Sequence, residues 1–129
     1  MDALRKVLSS SYDDVLAKIP GALASEGFGI LTEIDVQQTL KKKLDVDFRR
    51  YRILGACNPP FARQALEADL EIGRFMPCSI AVYEDDERRT VVSAVDPTVS
   101  MVAAGDTPAL RALAATVRDK LARAVGRIE

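Results

Sequence analysis

Two cysteines and no histidine set the chemistry open to this 129-residue chain. Without His there is no ordinary side-chain base titrating between about pH 5 and 8, and the commonest zinc ligand is missing. Ser-His-Asp and Cys-His catalysis are therefore excluded. The thiols Cys57 and Cys78 remain, each at the end of a strand-like run, where a side chain reaches the rim of a sheet. Cys57 is followed by Asn58-Pro59-Pro60, which opens a helix whose free N–H groups and dipole would favour a thiolate. A thiolate beside a second thiol suits a soft metal such as copper, as Cu(I), or a dithiol–disulfide cycle. The spacing is not C-x-x-C, and two thiols cannot close a Cys₄ zinc site within one chain, although a dimer would bring four together. The plain alternative is that both are small buried apolar side chains, the usual place of a free cysteine.

Other groups offer less. Lys41, Lys42 and Lys43 with Arg49, Arg50 and Arg52 could form a phosphate patch, but a solvated helix face and strand edge explains them more simply. Aromatic residues are sparse, with no Trp, so a base-stacking platform is not expected. Glu33 reads as a strand-surface residue, Asp35 as a helix cap, and Glu84 to Glu87 as a solvated turn. Nothing holds two of these carboxylates at a working distance. Ser9 to Ser11 have no base partner, and Gly27-x-Gly29 follows a helix instead of a strand, so neither is a catalytic or dinucleotide motif.

The elements that must position the cysteines are legible from period and caps. Ala3 to Ser9 alternates weakly and predicts an edge strand. Ser11 and Asp14 form a capping-box pattern for a helix carrying Val15, Leu16, Ile19 and Leu23, kinked at Pro20 and ended by Gly27. Phe28 to Ile34 alternates as a strand, and Asp35 with Gln38 starts a short helix through Leu44. Phe48 to Cys57 is the next strand. Asn58 caps the following helix, with prolines in its first turn and Phe61, Ala62, Ala65 and Leu66 on its buried side. Cys78 to Glu84 and Arg89 to Val95 make a hairpin, ended by Asp96-Pro97. Thr107-Pro108 opens a last helix, over residues 107–127, with Leu110, Leu113, Val117, Leu121 and Val125 on one face. The expected class is α+β, an antiparallel sheet with helices packed on one face, in a single domain over residues 1–129. The helix between Cys57 and Cys78 leaves their strands free to pair parallel or antiparallel, and only the antiparallel arrangement puts both thiols at one rim.

In the blocks GFGILTEIDVQQTLKKKL, DFRRYRILGACNPPFARQAL and MPCSIAVYED the chain resembles the domain of unknown function 302 family, over about Leu16 to Pro97. The matching positions include Gly27, Phe28, Gly29, Glu33, Gly55, Cys57, Asn58, Pro59, Pro77 and Cys78. The resemblance implies a TATA-box-binding-protein-like β-α-β(4)-α arrangement and a homodimer, and it implies no activity. Likeness of fold to a DNA binder says nothing of DNA binding.

The chain carries a net charge of −1 and no apolar run long enough for a membrane span, so neither nucleic acid nor a membrane is expected as a partner. The N-terminus lacks an apolar signal core, and the expected location is cytoplasmic. The leading expectation is a homodimeric ligand- or partner-binding module with a rim site at Cys57, Asn58, Cys78, Asp96 and Gly29, and no cofactor is indicated. The alternative is a thiol-dependent redox or soft-metal (copper or zinc) protein with Cys57 and Cys78 as ligands. An enzyme would need a deep polar pocket, which these residues do not announce.

Overall fold

The computed structural model describes residues 2–129. Its elements run β1 (Arg5–Leu8), α1 (Tyr12–Ala24), β2 (Gly29–Asp35), α2 (Val36–Leu44), β3 (Tyr51–Cys57), α3 (Pro59–Ala68), a 3₁₀ turn (Leu70–Phe75), β4 (Cys78–Glu84), β5 (Thr90–Ala94), α4 (Pro97–Ser100) and α5 (Pro108–Gly126). The strands form one sheet in the order β1-β5-β4-β3-β2, antiparallel throughout. The α+β class is as expected, and the pairing left open around the cysteines is antiparallel. The run of four strands after α1 is interrupted by α2 and α3, so the order is more broken than β-α-β(4)-α.

Local chemistry accounts for most boundaries. Ser11 Oγ accepts from Asp14 N at 3.2 Å to open α1, and Asp35 Oδ1 accepts from Gln38 N at 3.0 Å to open α2. Thr107 Oγ1 accepts from Leu110 N at 3.2 Å to open α5, with Pro108 in the first turn, where a missing N–H costs little. Gly27, at φ +84°, lets the chain reverse after α1, with Phe28 N donating to Leu23 O at 3.0 Å. Pro20 lies within α1, and one helix continues past it to Ala24. Phe48, expected in the third strand, precedes it; β3 begins at Tyr51. The 3₁₀ turn and α4 had no periodic signal, being six and four residues long.

Strand alternation sorts the sheet into two faces. On one, Leu54, Ile80 and Ala94 stand side by side, as do Val82 and Val92. α1 and α5 close this face with Val15, Ile19, Leu23, Val117, Leu121 and Ala124, all in the same buried cluster. Each large aliphatic side chain buried there contributes about 1.5–3 kcal/mol. A second cluster of Ala65, Ile72, Met101, Leu110 and Ala114 ties α3, the 3₁₀ turn and the α4–α5 link together beyond the strand ends. The opposite face carries Tyr51, Tyr83, Val91 and Val7 in one register row and Ile34, Ile53, Ala81, Ser93 and Arg5 in the next. None of these residues belongs to either buried cluster, although Val91 is itself fully buried.

Candidate functional site

The antiparallel registers bring the sequence-derived candidates to one end of the sheet. Gly29 pairs with Cys57, Ala56 pairs with Cys78, and Val95 N donates to Ser79 O at 2.9 Å, so Asp96 leaves the sheet at the same rim. Two of the five open onto other surroundings. Gly29 has open space where a side chain would stand. Asp96 caps α4, accepting from Thr98 N at 2.9 Å and from Arg118 Nε at 3.2 Å. Burial alone would raise its carboxyl, but Thr98 and Arg118 outweigh that and hold it below the usual carboxylate range.

Cys57, Asn58 and Cys78 share a cavity of about 40 Å³ beneath the rim, whose walls also include Phe28, Ala56, Phe61, Met76, Met101 and Val117. That volume has room for about three water-sized groups. Cys78 reaches it from the helix-covered face, beside Ala56. Cys57 is the last residue of β3, where the chain leaves the sheet for α3, and it also lines a neighbouring surface groove with Leu31, Pro59, Ala62, Arg63 and Leu66. Asn58 is buried, and its Nδ2 donates to Glu26 O at 3.1 Å instead of capping α3, whose first turn has no side-chain cap. The expected Asn58 cap is thus replaced by a tether joining the end of α1 to the β3–α3 junction. Glu26 is held in turn by Arg123 and Arg127, and these ion pairs place its carboxyl below the ordinary range.

The expected low-pKa thiolate is not what this environment makes. Burial pushes the Cys57 thiol up, and burial followed by the nearby Cys57 pushes Cys78 up to about 11. Loss of water around a thiolate disfavours the charged form. Among the described residues no group of three or more His, Cys, Asp or Glu could hold a metal ion. Met76 and Met101 are the lining residues that reading the sequence missed. Met76 lies two residues before Cys78 and was within reach, whereas Met101 sits in the link after α4, which has no pattern to read.

The charged clusters are internally paired. Arg49 meets Asp86 at 2.7 Å, Arg50 meets Asp13 at 3.4 Å, Lys41 meets Asp45 at 3.0 Å, and Arg52 pairs with Glu33 and Asp35. Four of the six basic residues, Lys41, Arg49, Arg50 and Arg52, are therefore paired with carboxylates where they stand, as on a solvated face. No helix among the described residues is long and apolar enough to cross a membrane.

Fold and site together define a small α+β protein with an open antiparallel sheet and an apolar, sulfur-lined cavity at one rim. A sequence model of the family described as Domain of unknown function DUF302 matches residues 4–128, and the chain belongs to that family. The match reaches beyond the Leu16–Pro97 blocks to take in β1 and α5. Among solved structures the chain is similar to an uncharacterized conserved DUF302 protein from Bacillus stearothermophilus. The two are 30% identical with a TM-score of 0.88, over 97% of this chain and 96% of that one. No curated protein matches the chain.

Proposed function

We propose that this protein is a homodimeric binding module whose ligand site is the rim cavity at Cys57, Asn58 and Cys78. The reading is carried by one observation: both thiols line the same cavity, and its other walls are almost wholly apolar. Among the described residues that line it, Asn58 carries the one side-chain amide, and its Nδ2 is already engaged by Glu26 O. Such a site suits a small apolar or sulfur-seeking ligand and offers no set of convergent polar groups to a polar substrate. A homodimer is supported by the open sheet face, where Ile34 is 49% exposed and Tyr51 stacks on Tyr83 with ring centres 5.1 Å apart. With α1 and α5 already forming the second layer on the other face, exposed apolar side chains on this one mark a surface that association would cover. Free thiols suit a reducing compartment such as the cytoplasm. A dithiol–disulfide cycle is less well supported, because the raised thiol pKa values leave little thiolate to start exchange.

Xenon under pressure is a suitable probe of a dry cavity. Methyl NMR should show shifts confined to Met76, Met101 and the lining alanines, and Ala62→Leu, which fills the cavity wall, should abolish them. Absence of shifts in the wild type, or equal shifts in the filled variant, would remove the cavity as a ligand site.

A further inference from the structure

We infer that the rim cavity is a Cu(I) site, with Cys57 and Cys78 as thiolate ligands and Met76 and Met101 as thioether ligands. The inference rests on the cavity being the ligand site, as proposed above, and names the ligand. The chain has two cysteines and three methionines. Four of these five sulfur side chains line one cavity, although they come from the end of β3, the start of β4 with the residue two before it, and the link after α4.

Thiolate and thioether sulfur select Cu(I), whereas zinc draws on thiolate, imidazole and carboxylate. Among the described residues the cavity walls include no carboxylate, and the chain has no histidine. The cavity therefore discriminates against zinc and the harder divalent ions by ligand type. Its volume, about 40 Å³, admits an ion that has shed most of its water. Loading is a substitution without electron transfer: two S–H bonds break and two protons pass to solvent, four Cu–S bonds form (two to thiolate and two to thioether), and the ligands that carried the ion in leave with their donor. The bound dithiolate centre carries one negative charge. Lys120 Nζ lies 5.7 Å from the centre of the Phe61 ring, which forms part of the cavity wall, so a cation stands just behind that wall. Cys57 also borders the outer groove, which provides a route by which an incoming thiolate-bound ion can be exchanged.

The test uses the full chain, reduced and kept anaerobic, titrated with Cu(I) supplied as its acetonitrile complex against a chromophoric Cu(I) chelator. The expected result is one Cu(I) per chain in an all-sulfur shell by X-ray absorption. Cys57→Ser and Cys78→Ser should abolish binding. Met76→Leu and Met101→Leu, which conserve volume, should each weaken it by at least the roughly 10–100-fold that losing even an outer-shell partner costs. Circular dichroism checks that each variant is folded. Failure of the wild type to compete with the chelator, tighter binding of Zn(II), or wild-type affinity in the Met76→Leu/Met101→Leu double variant would each overturn the inference. Xenon shifts that persist while copper fails would overturn the metal and leave the cavity; loss of both would overturn the two together.

Discussion

Cys78 shows how a strand-end thiol is governed more by what covers it than by the helix that follows its neighbour. Burial, then proximity to Cys57, raises it from 9.0 to about 11. The folded protein thus holds the thiol proton more tightly than the unfolded chain. This preference supports the fold fully below about pH 9 and is lost as pH rises through about 11. Two pH units correspond to about 2–3 kcal/mol. Tyr12, raised to about 12 chiefly by burial, and Cys57, also raised by burial, titrate in the alkaline range too, so the wild-type curve alone mixes the three groups. Urea unfolding of the wild type beside Cys78→Ala separates them. The stability difference between the two proteins should shrink by that amount between pH 8 and 11, and a difference that stays constant would mean Cys78 titrates as an exposed thiol. Asn58 teaches a related lesson. Its type and place announced a cap, and tertiary contact with Glu26 claimed the side chain instead.

At the scale of elements, the β2–β3–β4 end of the sheet depends on a glycine. A Cβ at Gly55 would fall 2.7 Å from Pro77 Cγ, with Thr32 Oγ1 closer still, because β2 and the turn into β4 both press on β3 there. Gly55→Ala should therefore cost about 1–3 kcal/mol, as overpacked sites do. Chemical denaturation measures it, and a loss below about 0.5 kcal/mol would mean the edge strand yields easily. The register of β2 against β3 shifts between Ile30 and Thr32, a bulge at the sheet edge beside Leu31, which is 64% exposed and borders the outer groove. Bulges of this kind blunt an edge against further strand pairing. The shift also leaves Gly29 in register with Cys57, which keeps the groove next to the cysteine.

For the whole molecule, the two sheet faces are unequal. One is closed by α1 and α5; the other presents Val7, Ile34, Ile53, Tyr51 and Tyr83 outside either buried cluster. If a second copy covers that face, sedimentation equilibrium should give a dimer at micromolar concentration. Ile34→Glu should convert it to a monomer of unchanged helix and strand content, since Ile34 is already half exposed in the single chain. A wild type that sediments as a monomer would sink this arrangement. The rim cavity lies at one end of the sheet, lined from the helix side, so dimerisation and ligand binding would use separate surfaces.

What the sequence determined by itself was local. Ser11, Asp35 and Thr107 as caps, the apolar stripes of α1 and α5, and the alternation of β2, β4 and β5 are short-range signals, and short-range hydrogen bonds and burial enforce them. The blocks around Gly27, Cys57 and Cys78 were also enough to point to the family. Tertiary structure decided the rest, because it depended on contacts between distant segments. The α3 connection was compatible with either strand direction, and only the sheet's packing made Cys57 and Cys78 neighbours. The thiols' pKa values followed from the apolar cover laid over them. Met101 reached the cavity because the second cluster folds the aperiodic link after α4 against α3 and α5, an outcome set by long-range burial that no window of neighbouring residues records.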